Sequence, residues 1–548
     1  MSDETPLSEQ PKPRMVGWYD PHLLLSTGME VLVSRTLGQR FDYRLMEDVG
    51  LSQPVFDYSE IRRGVPRRGI WFDYMADTGD GWESTYAMAC LVSQPAIELG
   101  ARRLPRGAFL LLGGDEVYPA ASKQEYGERL VGPLGAALTP PRGRAPDLFA
   151  IPGNHDWYDG LVSFSRLFTQ GRTLGAWQTR QRRSYFAIQL PQHWWLWAVD
   201  VQLESDIDVG QLNYFAWAAE KLQPGDGIVL ASAEPDWLYH NIKDPGADSN
   251  LARLEQKIIQ PSGAKVHVWV AGDMHHYRRH ENARDPSCQR ITSGGGGAYL
   301  ASTHEPATGS AASSLKRVVR VGEETYRQQF AYPSPATSLR LSFLNFLFTL
   351  KNWRFGLLTG LAYMTLTWGQ LEGGLLSAAR TAIERYPARL VWLALVVAAF
   401  VFYADRTVPT FRWLGGIVHG LTHIVCAFAI AGWTARVLDG HGVYWALARL
   451  GVNFLLGALV GSILMGLYLF LAANLFGAHL DQAFAALRIK NFKHFLRFHI
   501  RRADGALEIY PIGMPSIPGK DQAAAQYFLI EGPIAITRDA APAQAPPG

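Results

Sequence analysis

Beyond about residue 340 the chain contains four stretches, 355–371, 390–404, 413–435 and 450–480, that hold no Asp, Glu, Lys or Arg. Such runs must be buried in hydrocarbon or in a protein core, and a helix that crosses a bilayer needs roughly 20 apolar residues. The third and fourth meet that length. The second is shorter, yet Arg389 and Arg406 can snorkel from its ends, and Trp392, Phe402 and Tyr403 suit an interface. Four such runs in series predict four transmembrane helices, 355–371, 389–405, 413–435 and 450–476, within a region 340–482. A buried helical domain is the alternative. His419, His423 and Asn453 inside the runs read as side chains that hydrogen-bond between helices.

Basic residues set the expected orientation. Lys351 and Arg354 precede the first run, Arg406 and Arg412 separate the second from the third, and Arg488, Lys490, Lys493, Arg497, Arg501 and Arg502 follow the fourth. The opposite loops carry Arg380, Arg385, Arg389, Arg436 and Arg449, so the bias is modest. It favours a multi-pass integral membrane protein with the preceding domain in the cytosol. The first thirty residues agree, since they are polar or mixed and contain no secretory signal. Cys90, Cys288 and Cys426 are too far apart for a disulfide framework or zinc ribbon and fit a reducing compartment. A net charge of +3 gives no electrostatic case for nucleic acid as a partner.

Before the membrane region the pattern changes. Residues 1–67 read as a Pro-rich tail and a covering helix from 22 to about 37. Over 68–335 short apolar runs alternate with loops: 70–72, 109–112, 148–151, 194–199, 228–230 and 266–270. Four of them lead straight into Asp77-Thr78-Gly79-Asp80, Gly114-Asp115-Glu116-Val117-Tyr118, Gly153-Asn154-His155-Asp156 or Gly272-Asp273-Met274-His275, and a fifth leads into Ala233-Glu234-Pro235. A layered α/β domain with its site beyond the strand ends is expected. Carboxylates that can bridge cations, an amide oxygen and neutral imidazoles on one rim suit Mn, Fe, Zn or Mg. Gly294-Gly295-Gly296-Gly297 lacks the Lys-Ser/Thr of a P-loop and reads as a tight turn. His276 and His280 read as surface or rim residues. After the last span, alternation around Asp504-Gly505 predicts a hairpin in a small β-containing cytosolic module, 483–538, followed by a disordered tail, 539–548.

In order and spacing, these motifs resemble the calcineurin-like metallophosphoesterase superfamily over about residues 68–305, and Asp77-x-Gly79 followed by Gly114-Asp115-x-x-Tyr118 is closest to its purple acid phosphatase branch. The resemblance implies a four-layer αββα sandwich that binds two divalent cations. Asp77, Asp115, Tyr118 and His275 would surround the first metal; Asp115 would bridge to a second, bound also by Asn154. Tyr118 is either a ligand or a phenol packed beneath the site. His155 would face the substrate and protonate a leaving alkoxide or stabilise the phosphoryl group, with Asp156 orienting its imidazole. Asp80 would be an acid behind the ligands.

The chain departs from the family pattern at two positions, Ala233 where a His precedes Glu234-Pro235, and Asp273 where the GHxH motif begins. Either Glu234 and Asp273 supply oxygen ligands and shift preference toward Mn or Mg, or one metal is bound. The expected function is therefore hydrolysis of a phosphomonoester or phosphodiester by a metal-bound hydroxide, at a membrane and on a substrate that includes lipid-linked phosphates. A catalytically impaired sensor or scaffold is the alternative.

Overall fold

A computed structural model describes residues 12–24, 53–60, 69–137, 145–201, 207–243, 249–307, 315–367, 387–405, 409–518 and 526–538. The expected helix over 22–37 beyond Leu24, the end of the first expected span and the tail 539–548 lie outside them.

Eight strands carry the argument: β1 (Gly69–Met75), β2 (Phe109–Leu112), β3 (Asp147–Ala150), β4 (Trp194–Ala198), β5 (Gly227–Ala231), β6 (Lys265–Ala271), β7 (Lys493–Arg501) and β8 (Leu507–Met514). They belong to two sheets of nine strands each. β1, β2 and β3 run parallel in the first sheet, and β4, β5 and β6 run parallel in the second. Because side chains alternate along a strand, each sheet has two buried faces to fill. Ile70, Phe72 and Tyr74 of β1 meet Leu196 of β4, Val229 of β5 and Val268 of β6 between the sheets. On the outer face of the first sheet, Trp71, Leu110 and Leu112 pack against Met88, Leu91 and Val92 of the helix Trp82–Ser93. On the outer face of the second, Trp195, Trp197 and Leu230 pack under Phe215 of the helix Val209–Ala219 and under Leu251 and Leu254. Helices thus flank two stacked sheets, and β1, β2, β3, β5 and β6 each end in one of the loops that carry the polar motifs.

The expected C-terminal hairpin forms, but it is not a module of its own. β7 pairs antiparallel with β1, from Leu496 opposite Tyr74 to Arg501 opposite Gly69, and β8 continues the sheet beyond it. The apolar faces of both strands are what bring them there: Phe495 and Ile512 enter one core layer, Leu496, Phe498 and Ile509 the other. Arg497, expected as a topology-setting charge, is fully buried and grips Asp73 of β1, with Nε–Oδ1 at 2.7 Å and Nη2–Oδ2 at 3.0 Å. Desolvation raises the Asp73 carboxyl, and Arg497 opposes that rise. The first sheet is completed only by residues that follow the apolar helices.

Among the described residues, four helices carry the long apolar runs between the two parts of that sheet. α1 (Trp353–Leu366) has 14 residues, α2 (Pro387–Tyr403) has 17, and α3 (Pro409–Val437) and α4 (Val443–Leu471) have 29 each. Two helical stretches, Phe411–Val437 and Val443–Phe476, are long and apolar enough to cross a membrane. α1 rises about 21 Å as described, short of a bilayer core. α1 packs closely on α4 because small residues let the backbones meet: a Cβ on Gly360 would lie 2.7 Å from the Phe454 carbonyl, and one on Gly461 2.5 Å from Thr359 Cβ. Asn453 accepts from Thr434 at 2.7 Å and donates to Thr367 at 3.2 Å, and His423 contacts Tyr363 of α1, as interhelical polar residues do, and also His419 one turn earlier on its own helix. All three cysteines are free.

Candidate metal centre

Asp77 lies two residues beyond β1, Asp115 three beyond β2, and His275 four beyond β6. Their ligand atoms all lie within 4.8 Å of one another, and all three residues are buried. The Tyr118 hydroxyl sits among them, 3.2 Å from Asp77 Oδ1, 3.2 Å from Asp115 Oδ2 and 2.8 Å from His275 Nε2. This tyrosine, which the sequence leaves open to two readings, thus contacts all three of the converging side chains.

The backbone carries strain where these side chains converge. Asp77, Asp115, Asp273 and His275 have φ of 56°, 52°, 69° and 46°, in the left-handed region that costs a non-glycine residue free energy. The loops after β1 and β2 hold that shape jointly, with the N–H groups of Thr78 and Gly79 donating to the carbonyls of Asp115 and Glu116. The Asp273 N–H donates to both Asp77 oxygens, at 3.1 and 2.9 Å, and the His155 N–H to Asp115 Oδ1 at 3.0 Å. Gly153 is required by space, since a Cβ there would lie 2.1 Å from Asp115 Oδ1. The run from Gly294 is pressed behind Asp77 for the same reason: a Cβ on Gly294 would lie 2.2 Å from Asp77 Oδ2.

The donor set fits a cation. Burial, and then repulsion from Asp273, pushes the Asp77 carboxyl well above its ordinary value; burial, and then Asp77, does the same to Asp115. A bound cation would relieve both effects. Burial lowers His275 well below the usual imidazole range, which leaves it neutral, the state that ligates. The Asn154 amide oxygen faces both Asp115 oxygens, at 3.1 and 3.0 Å, while its Nδ2 donates to the Tyr158 hydroxyl at 3.1 Å. Acceptors face acceptors there, which calls for a cation between them or for the amide to turn over.

Other expected site residues are placed differently. His155 Nδ1 lies 2.6 Å from the Pro119 carbonyl, which can only accept, so Nδ1 carries the proton. Burial lowers this histidine to about 4, so in the resting protein Nε2 is an acceptor rather than the proton donor expected from the motif. Asp156 does not orient that ring. Its Oδ2 accepts from the N–H groups of Gly153 at 2.8 Å and Glu116 at 3.2 Å, and its Oδ1 from the Tyr126 hydroxyl, so it fastens the turn. Neither Glu234 nor Asp273 joins the converging group. At the first departure Ala233 packs against the loop after β2, where a Cβ on Gly114 would lie 2.5 Å from Ala233 Cβ, and Glu234 is half-buried. The Asp273 carboxylate accepts from the Tyr239 hydroxyl. His276 and His280, expected at the surface or rim, are fully buried. Asp80 is also buried, and its carboxylate clamps the N–H groups of Val16 at 2.7 Å and Tyr299 at 3.0 Å.

Two contributors carried no motif. The segment 12–24 crosses the site: the Trp18 ring lies 5.7 Å edge-on from His155 and 6.4 Å from Tyr118, while Tyr19 stacks edge-on against Phe348 and Phe355. Lys493 of β7 is buried behind the centre, where desolvation lowers it to about 7 against the pull of Asp80 and Asp77. The hydrophobic pattern around these residues gave no sign of proximity to the site, because each arrives from a distant part of the chain.

No protein-family profile matches the sequence, and no curated protein matches it. Among solved structures, one titled "Structure of PhoD" aligns at 12% identity over 45% of this chain and 60% of that chain, with a TM-score of 0.27. The alignment thus spans under two thirds of that protein, at a similarity too low to carry an argument. The functional reading rests on the centre itself.

Proposed function

We propose that this chain is a membrane-anchored, metal-dependent phosphoesterase, the function that its motif order resembles. The observation that carries the reading is the buried convergence of Asp77, Asp115 and His275 around the Tyr118 hydroxyl, with Asn154 facing Asp115. When bound, a divalent cation would supply Lewis-acid activation of water and of a phosphoryl oxygen. The chain's own residues do the rest. Asp77, Asp115, Tyr118 and His275 would hold the cation, Asn154 would complete the side nearest Asp115, and His155 would contact the phosphoryl group. A phosphate beside His155 would raise its proton affinity, restoring a donor at Nε2.

Membrane anchoring is supported by the two long apolar helices and by large exposed apolar side chains on α2, α3 and α4, such as Val391, Leu414 and Leu455. For a chain so anchored, the pairing of β7 with β1 requires an even number of crossings, because the chain leaves the first sheet and returns to it. Four crossings, with the catalytic domain and both flanks in the cytosol, satisfy that parity and the distribution of basic residues. A phosphoester carried by a membrane lipid is the substrate class we favour.

A second reading, a metal-binding sensor or scaffold without turnover, is favoured by Ala233 and by the engagement of Asp273 with Tyr239. Full-length protein separates the two, since a fragment ending near residue 335 lacks β7 and β8. Hydrolysis of bis-p-nitrophenyl phosphate with Mn, Mg, Zn or Fe, together with retained metal, is expected; metal retention without hydrolysis supports the sensor, and neither outcome sinks both.

A further inference from the structure

Between the segment 12–24 and the start of α1 lies a cavity of about 830 Å3. Arg14, Arg129, Lys351, Arg354 and Arg488 line it against two acids, Asp20 and Glu125. Both acids are already matched. Asp20 Oδ2 takes Arg354 Nη1 at 2.7 Å, and Glu125 pairs with Arg129 one helical turn on. Arg14, Lys351 and Arg488 form no direct ion pair with a carboxylate among the described residues, although Asp80 and Asp20 attract Arg488 at longer range.

Lys351 and Arg488 are held side by side by main chain. Lys351 Nζ donates to the Leu487 carbonyl at 3.3 Å, and the Arg488 guanidinium donates to the Lys351 carbonyl. Burial first, and then the Arg488 charge, lowers Lys351. Two half-buried like charges at such range repel unless an anion joins them. Their direct hydrogen-bond partners are neutral carbonyls, and the longer-range pull of Asp80 and Asp20 on Arg488 leaves Lys351 without a matching acid among the described residues.

The mouth of the cavity decides what kind of anion fits. It includes Leu350 and Trp353, which are 75% and 61% exposed. They belong to a stripe that begins at Leu339, passes through Phe343 and Phe346 along the short helical segments that precede α1, and continues on α1 at Leu357 and Leu361, all exposed and recurring every three or four residues. An apolar stripe of that period lies at a membrane surface. Free phosphate has no use for an apolar lip, whereas a phospholipid needs a cationic pocket beneath one.

We infer that this cavity is a headgroup site for an anionic phospholipid, with Lys351 and Arg488 on its phosphate and Leu350 and Trp353 against the start of its acyl chains. The site adjoins the metal centre through Pro119, which lines the cavity and whose carbonyl holds His155. The inference rests on the membrane part of the proposed function and not on hydrolysis.

The test uses full-length protein in phosphatidylcholine nanodiscs with and without phosphatidylglycerol, with retained lipid counted by native mass spectrometry after release into detergent. Wild type should retain phosphatidylglycerol selectively. Loss of about fivefold per cation, hence roughly 25-fold, is expected for Lys351→Gln with Arg488→Gln. Arg14→Glu, at an exposed side chain, should lose at least about fivefold without affecting folding, and the distant surface substitution Arg103→Gln should lose nothing. Equal retention by wild type and Arg14→Glu, or displacement of the lipid by inorganic phosphate alone, overturns the headgroup site. Failure of the chain to enter nanodiscs overturns it together with the membrane reading, whereas entry without lipid preference overturns the headgroup site alone.

Discussion

The two sides of the metal centre are built differently. Around Asp77, every side chain that faces the centre comes from a loop whose backbone is fixed by another loop: the Asp273 N–H holds Asp77, the His155 N–H holds Asp115, and Tyr118 touches both carboxylates and His275. Around Asn154, the equivalent positions are otherwise engaged. Ala233 packs on Gly114, Asp273 takes the Tyr239 hydroxyl, and only Asn154 itself looks toward Asp115. A metal site needs ligands that are already in place before the ion arrives, since each group reoriented on binding costs affinity. On that ground one tightly held cation per chain is expected, on the Asp77 side.

The largest effect should come from the residue the two sides share. Asp115→Ala removes the carboxylate that meets Tyr118, the His155 N–H and Asn154, and it leaves Asp77 and His275 as an incomplete set. Retained metal should vanish and activity should fall by at least roughly 10⁴-fold. Metal analysis by mass spectrometry and phosphodiester hydrolysis check this together. Full metal content in this variant would mean that the cation sits elsewhere.

His155→Ala should divide binding from chemistry. Among the described residues the side chain hydrogen-bonds the Pro119 carbonyl alone, while the contact to Asp115 is made by its backbone. A loss of roughly 10²–10³-fold in activity with unchanged metal content is expected. Parallel loss of metal would assign the imidazole to the ligand set instead. Tyr118→Phe should act the other way round, weakening metal affinity by roughly 10–100-fold, since it removes the hydroxyl that would hold the cation and that touches the other ligands. Isothermal titration of the metal-free chain gives that number, and an unchanged affinity would return Tyr118 to a packing role.

Much of this comparison was legible in the residues, for a physical reason. Asp77, Asp115, Asn154 and His275 follow apolar runs, and a parallel strand buried on both faces has nowhere to put a polar residue except past its end. What was not legible depends on partners far away. Asp156 looked like a companion of His155 because they are adjacent, but its use is decided by Glu116 and Tyr126. Arg497 and Lys493 looked like surface charges after a membrane span. They are interior because β7 finds its partner in β1, more than 400 residues earlier, and no local pattern encodes which edge an antiparallel strand will join. Trp18 had no motif at all and reaches the site because Asp80 clamps the N–H of Val16. The glycines at 294–297, expected as a tight turn, instead run beside the Asp77 loop, with the Gly296 and Ala298 N–H groups donating to the carbonyls of Ala76 and Asp77, and that placement depends on the fold.

The smallest expected effects test the comparison most sharply, because they concern residues that the motif order would place on a second metal. Asp273→Asn keeps a side chain that tolerates the left-handed backbone and can still accept from Tyr239, and its N–H still supports Asp77. Glu234→Gln preserves shape on the loop after β5. If only the Asp77 side holds a cation, each substitution should change metal content not at all and activity by less than roughly threefold, the scale of a surface charge change. Two equivalents of metal in wild type, falling to one in either variant, would break the asymmetry. The loop after β5 would then have to move on binding, carrying Glu234 toward Asn154, and the gap that Ala233 leaves on the second side would be filled by the neighbouring carboxylate.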